Sequence, residues 1–198
     1  MLSDDDQILW DQLREGDEQA FAGIYQKYFK SLYNYASKLT VDKDLVKDCL
    51  HDLFIELWDR RQRLPAMTSI KFYLFKAVRY TVLDRLTSHS RKVVDWESYP
   101  EAHFDFVLPY ESDLIARQLS QEQQQRLQAA LTSLTERQKE AIFLRFYGNF
   151  SYEQIASMMS LSVDSTYNLV SRALAFLRKQ LVQLGMFALL SHLCILWP

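Results

Sequence analysis

Residues 151–179, SYEQIASMMSLSVDSTYNLVSRALAFLRK, leave this chain few folds to choose from. Ser151, followed three residues later by Gln154, has the form of a capping box, so a helix starts there. Ile155, Ala156 and Met159 fall on one side of that helix, with Ala156 small where two helices must approach closely. Residues 160–162, SLS, make a turn, and Ser162 suits the N-cap of a second helix. On that helix Thr166, Leu169, Val170, Ala173 and Leu177 share an inner face. Ser165, Tyr167, Asn168, Ser171 and Arg172 are left facing outward. This is the spacing of a helix-turn-helix, whose second helix enters the DNA major groove by its N-terminal turns. Asn168 and Arg172, four residues apart, can both reach base edges; Asn suits adenine and Arg suits guanine. An ordinary antiparallel helix pair has the same periodicity, so at this point both readings stand. Two positions depart from the common pattern: Ser160 where the turn often has Gly, and Thr166 where the inner face often has Val or Ile.

The rest of the chain is built for helices. Four glycines and four prolines in 198 residues are too few for the turns of an all-β protein. Residues 93–113, VVDWESYPEAHFDFVLPYESD, interrupt the helical pattern with Pro100, Pro109 and many acids, as a linker does. The expected fold is therefore all-α: two small helical domains, residues 1–92 and 118–184, joined by a flexible acidic linker over 93–117. An apolar tail, 185–198, follows. Its apolar run over 186–197 is broken by Ser191 and His192 and is short for a membrane span, which needs about 20 apolar residues. A tail packed on protein is expected there, and no direct membrane contact. Cys49 and Cys194 are far apart and form no CxxC, which fits a reducing cytoplasm better than a disulfide or zinc scaffold. The acidic start, MLSDDDQ, has no signal-peptide character.

Two segments of the first half carry possible chemistry. In DLVKDCLHDLFIELWDRR, Leu45, Val46, Cys49, Leu50, Leu53, Phe54, Leu57 and Trp58 define a broad buried face. Asp44, Asp48, Asp52, Glu56 and Asp59 lie opposite. They form either a solvated surface or an acidic docking face flanked by exposed edges of Phe54 and Trp58. The following segment, RRQRLPAMTSIKFYLFKAVRYTVLDRLTSHSRK, is basic, with Asp84 as its one acid. Local clustering of this kind attracts phosphates even where the total charge is −2. Pro65 breaks the helix, and Ser69 is a candidate N-cap for the next one. On that next helix Leu74, Ala77, Val78 and Val82 suit the core, while Phe72, Lys76, Arg79 and Tyr80 gather on another face. Aromatic rings interleaved with cations can stack bases and hold a single-stranded backbone; the two rings could equally pack inward.

Taken together, these segments resemble the bacterial RNA polymerase sigma factors of the sigma-70 family, of the small extracytoplasmic-function (ECF) type. LVKDCLHDLFIELWDRR is similar to the family's core-binding helix, and SIKFYLFKAVRYTVLDRL to its promoter-melting helix. LTERQKEAIFLRFYGNFSYEQIASMMSLSVDSTYNLVSRALAFLRKQL is similar to its C-terminal promoter-binding domain. The resemblance implies that residues 1–92 bind core RNA polymerase through Asp48, His51, Asp52, Phe54, Glu56 and Trp58. It implies that the loop 64–69 captures a flipped base of the minus-ten element, while Phe72, Lys76, Arg79, Tyr80, Asp84 and Arg85 hold the separated strand. The helix from Val163 onward would read the minus-thirty-five element. The acidic, aromatic linker (Trp96, Tyr99, Phe104, Asp105 and Phe106 among its residues) would imitate RNA in polymerase channels, or act as a plain tether. An anti-sigma protein is a further partner of the kind the family uses. The chain departs from the family at Tyr80, where Asn is common, in the sparse Arg and Lys around Tyr167, Leu169 and Leu174, and in its apolar tail.

No Gly-rich phosphate loop, HExxH motif or plausible triad occurs, and the histidines are scattered. The chain is expected to be no enzyme, with no metal, cofactor or small-molecule substrate. The competing expectation is a stand-alone helix-turn-helix regulator whose N-terminal half is a sensor or interaction domain.

Overall fold

The structure, a computed structural model, describes residues 4–65, 69–89, 104–105 and 121–183. Among these residues every regular element is helical. The chain divides into two compact units, Met1–His103 and Phe104–Pro198.

The first unit holds α1 (Asp4–Glu15), α2 (Glu18–Leu39), α3 (Lys43–Asp59) and α4 (Ile70–His89), with a short 3₁₀ turn at Arg61–Arg63. Gly16, at φ +95°, makes the tight turn between α1 and α2 in a conformation that glycine adopts without steric cost. Asp17 then caps α2, its carboxylate accepting from the Gln19 and Ala20 amides at 2.7 and 3.4 Å. Asp42 does the same for α3, accepting from Asp44 and Leu45 at 3.1 and 3.0 Å. Carboxylates at helix N-termini satisfy orphan N–H groups and oppose the positive end of the helix dipole.

The buried stripe of α2 runs through Ala20, Ile24, Tyr28, Leu32, Tyr35, Ala36 and Leu39. It packs against Val46, Cys49, Leu50 and Leu57 of α3 and Ile70, Leu74, Val78 and Val82 of α4. Each fully buried Leu or Ile in this core contributes about 1.5–3 kcal/mol relative to an exposed one. Trp10 ties α1 to the end of the α3–α4 connection: its indole N–H donates to the Pro65 carbonyl at 3.0 Å, and its ring meets Tyr73 edge-on. The Tyr28 hydroxyl donates to Asp6 at 2.8 Å, and burial together with that carboxylate pushes its pKa well up. Burial also raises the Cys49 thiol, leaving a packed and unreactive side chain.

The second unit holds α5 (Gln121–Thr132), α6 (Glu136–Ile142), α7 (Tyr152–Met159) and α8 (Val163–Gln183). Capping boxes open both α6, at Thr135 and Gln138, and α7, at Ser151 and Gln154. α6 runs on into one π-helical turn, Phe143–Tyr147, which ends at Gly148, whose backbone N–H donates to the Phe143 carbonyl at 2.9 Å. A Cβ at Gly148 would lie 2.5 Å from the Leu144 carbonyl oxygen and 2.5 Å from the Phe150 ring, so the close approach requires glycine. α8 closes the unit by packing on α5, α6 and α7. No helix among the described residues is long and apolar enough to cross a membrane.

Candidate functional site

Three surfaces hold the residues singled out from the sequence, two on the first unit and one on the second. On α3 the acidic face is exposed: Asp44, Asp48, His51, Asp52, Glu56 and Asp59 all reach solvent. Phe54 does not join them. At 4% exposure it is part of the core, which corrects its expected role as an exposed edge. The reason lies on α2, where Phe21, Tyr25 and Phe29 recur every fourth residue and surround the Phe54 ring at centroid distances of 6.2, 4.8 and 6.4 Å. Trp58 is half-buried, held between Phe21 at 5.3 Å and the Arg61 guanidinium 4.3 Å above its ring. The result is a groove of about 640 Å³ between α2 and α3, with Phe54 as its floor and Glu18, Phe21, Tyr25, His51, Ile55, Trp58 and Asp59 as its walls. Tyr25 and Ile55, exposed by 40% and 47%, were not anticipated as part of this surface. The four-residue spacing of Phe21, Tyr25 and Phe29 was the available signal.

On α4 the Ser69 hydroxyl accepts from the Phe72 amide at 3.2 Å, forming the expected cap. Ile70, Leu74, Phe75, Val78, Val82 and Leu83 face the core. Phe72 and Arg79 are half-buried, and Lys76 and Tyr80 are exposed. The Lys76 ammonium stands 5.8 Å over the Phe72 ring, and Tyr80 is 51% exposed, so the face pairs cations with available aromatic surface. Lys71 is half-buried beside Phe75, and burial holds its ammonium below the usual lysine range. Arg85 forms an ion pair with Asp52 of α3. Expected on separate surfaces, these two residues instead tie the acidic helix to the cationic one. Asp84 is exposed. At the base of the 64–69 loop Leu64 is buried and Pro65 is held by Trp10, while residues 66–68 lie outside the described residues.

The second unit presents the helix-turn-helix. The Ser151 hydroxyl accepts from the Gln154 amide at 3.3 Å, and the Gln154 side chain accepts from the Ser151 amide at 3.0 Å. The hydrogen bond from Ser151 also lowers the Glu153 carboxyl pKa. Ser160 sits in the left-handed region, φ 55° and ψ 46°, and ends α7 in a position that glycine fills more cheaply. The Ser162 hydroxyl accepts from the Ser165 amide at 3.1 Å, the expected cap of α8. Thr166 is fully buried, and its hydroxyl donates to the Ser162 carbonyl at 3.0 Å. The departure from Val or Ile at this position is thus compatible with the core, because the one polar atom is satisfied locally. Ser165, Tyr167, Asn168 and Arg172 are exposed on one side of α8, with Ser171 half-buried among them. Tyr167 leans on Tyr152 at 5.4 Å, and the Arg145 guanidinium lies 5.0 Å over the Tyr152 ring.

Of the linker residues, Phe104 and Asp105 are described. Phe104 is buried against Phe143 of the second unit, so its ring is not an exposed imitator of a base. The other linker residues and the apolar tail lie outside the described residues.

Comparison with known proteins agrees with this arrangement. Residues 24–92 match the family model of sigma-70 region 2, and residues 124–177 match that of sigma-70 region 4. Together the two cover more than half of the chain. The ECF RNA polymerase sigma factor SigX of Bacillus subtilis (strain 168) is 25% identical over 83% of this chain and 84% of its own. The ECF sigma factor SigK of Mycobacterium ulcerans (strain Agy99) is 22% identical over 89% and 93%. The same fold is found in the sigma factor RpoE from Bartonella quintana, solved with the anti-sigma factor NepR, at 22% identity and a TM-score of 0.57 over 81% of this chain and 96% of that one. It is found again in CnrH, solved with the cytosolic domain of CnrY, at 21% identity and a TM-score of 0.56 over 91% and 99%. With regions 2 and 4 both present, in order, and relatives of the same kind matched across most of their length, the chain belongs to the sigma-70 family of bacterial RNA polymerase sigma factors, in its ECF branch.

Proposed function

We propose that this protein is a transcription initiation factor that binds core RNA polymerase and directs it to particular promoters, acting in the cytoplasm and catalysing no reaction itself. One observation carries the reading: two unlike nucleic-acid faces on two separately folded units. The α4 face combines cations with exposed rings, the chemistry that holds a single strand. The α8 face offers Asn168, Arg172 and hydroxyls on the second helix of a helix-turn-helix, the chemistry that reads duplex base edges. A stand-alone duplex-binding regulator has no use for the first.

On this reading residues 1–92 bind the polymerase and melt the minus-ten element. Asp48, His51, Asp52, Glu56 and Trp58 meet the polymerase, with Phe54 supporting them from beneath. Phe72, Lys76, Arg79, Tyr80 and Arg85 hold the melted strand, and the stacking they provide offsets the few kcal/mol needed to draw a base from the duplex. Residues 118–184 read the minus-thirty-five element through Ser165, Tyr167, Asn168, Ser171 and Arg172. An anti-sigma protein, the class of partner bound to the structural relative RpoE, is a further proposed partner.

The test is co-elution of the full chain with bacterial core polymerase, beside an Asp48→Arg, His51→Ala double variant. Asp52 is left intact because its substitution would also release Arg85. Co-elution of wild type and its loss in the variant support the reading. If wild type fails to bind core yet still binds duplex DNA, the stand-alone regulator takes its place.

A further inference from the structure

The π-helical turn Phe143–Tyr147 runs into a tightly made corner. Gly148 leaves no room for a Cβ, and Asn149 lies in the left-handed region at φ 52°. Phe150 is buried, with its backbone N–H donating to the Leu144 carbonyl at 3.1 Å. Single π-helical turns are frequent at functional sites. From this one, Arg145 reaches toward the helix-turn-helix. Its guanidinium donates to the Phe150 carbonyl at 3.0 Å and lies 5.0 Å from the centre of the Tyr152 ring, at the start of α7. The Tyr152 ring in turn meets the Tyr167 ring of α8 at 5.4 Å and an interplanar angle of 58°. Arg145 and Tyr152 are half-buried, whereas Tyr167 is 45% exposed. The three side chains thus run from a fixed corner to an exposed ring on the second helix of the helix-turn-helix.

A tyrosine on a helix chooses between two staggered χ1 directions, because the third drives it into the preceding turn. A tilted ring pair and a cation over a ring are both attractive. Here they favour the direction in which Tyr167 stays on Tyr152. Fixing a side chain before DNA arrives removes part of the ordering cost of binding and decides which base pair that side chain meets. We infer that Tyr152 is a positioning residue for upstream-element recognition: backed by Arg145, it holds Tyr167 in one direction on α8 and so sharpens the preference at the base pair Tyr167 meets. Tyr152 acts through Tyr167 and need touch no base itself. The inference rests on the function proposed above, in which α8 reads duplex DNA.

The test uses holoenzyme assembled with the full chain, and transcription from a promoter selected with wild type and then mutated base by base. Tyr167→Ala first locates the base pair whose preference it flattens. Tyr152→Leu keeps apolar bulk but removes the ring. It should reduce the preference at that same pair by about threefold or more, and leave unchanged the pairs that answer to Asn168→Ala and Arg172→Ala. Tyr152→Phe keeps the ring and should restore the wild-type preference. A merely structural role for Tyr152 gives an even loss at every position, and that result overturns the inference. So does an unchanged preference in Tyr152→Leu, a loss that Tyr152→Phe does not restore, or a Tyr167→Ala variant that flattens no pair. If wild-type holoenzyme transcribes nothing, the proposed function fails, and NMR of the full chain alone then judges the seat of Tyr167. Three-bond couplings from its backbone nitrogen and carbonyl carbon to Cγ should report one χ1 direction in wild type and Tyr152→Phe, and averaging between directions in Tyr152→Leu. Averaging in wild type, or one direction in all three, overturns it.

Discussion

Helices α4 and α8 are of nearly equal length, and each buries one side in its own unit, yet their outer sides are chemically unlike. The outer side of α4 has Lys76 and Arg79 among Phe72 and Tyr80. The outer side of α8 has serines, a tyrosine, an asparagine and one arginine in its first three turns. Stacking and phosphate attraction tolerate any base, whereas paired hydrogen bonds at fixed spacing discriminate among bases. On the function proposed above, the difference places binding strength and sequence choice on separate units: α4 would supply what a melted strand of many sequences needs, and α8 would supply selection.

That division can be broken by experiment. The largest effect is expected on α8. Asn168→Ala and Arg172→Ala should each cost about 1–3 kcal/mol at one upstream base pair and little elsewhere, as measured by transcription from promoters mutated base by base. An even loss across all sequences would mean that α8 also binds without discrimination, and the contrast would collapse. The matching change on α4, Lys76→Ala, should weaken binding to a melted template by a similar factor whatever its sequence. It should reduce the slope of log K against log salt by about 0.7, read from titrations at several salt concentrations. A base-specific loss would move α4 to the discriminating side. The smallest effect tests whether the reading geometry depends on the strained turn. Ser160→Gly relieves a left-handed non-glycine residue and should raise the stability of the second unit by about 1 kcal/mol in urea unfolding, with base preference unchanged. Unchanged stability would show that the turn's own contacts already balance the strain.

The parts of this molecule legible in its sequence are those governed by near neighbours. Caps at Ser69, Ser151 and Ser162 join groups three residues apart, and each forms where the local pattern puts it. The outward set on α8 follows from helical period alone, because the opposite face is apolar enough to choose its own orientation. Thr166 was readable only in part. Its inward position follows from the period, but its tolerance depends on a bond to the Ser162 carbonyl.

Phe54 marks the limit of this kind of reasoning. On α3 alone it lies at the border of the apolar face, and period cannot say whether a border ring is covered. Three rings of α2 cover it. Arg85 and Asp52 are 33 residues apart and belong to helices whose separate patterns give no sign that they meet. Phe104 looks like one more aromatic in an acidic tether until Phe143, Tyr147 and Glu136 are brought together around it.

By itself, then, the sequence determined that the chain is helical, where most helices start, which side of each faces inward and which motifs stand in what order. These are consequences of bond geometry, periodicity and interactions a few residues in range. Only the tertiary structure decided the groove between α2 and α3, the tie between Asp52 and Arg85, and the seat of Phe104. Burial and ion pairing across distant segments depend on which surfaces the packed helices bring within contact distance, and no local pattern encodes that distance.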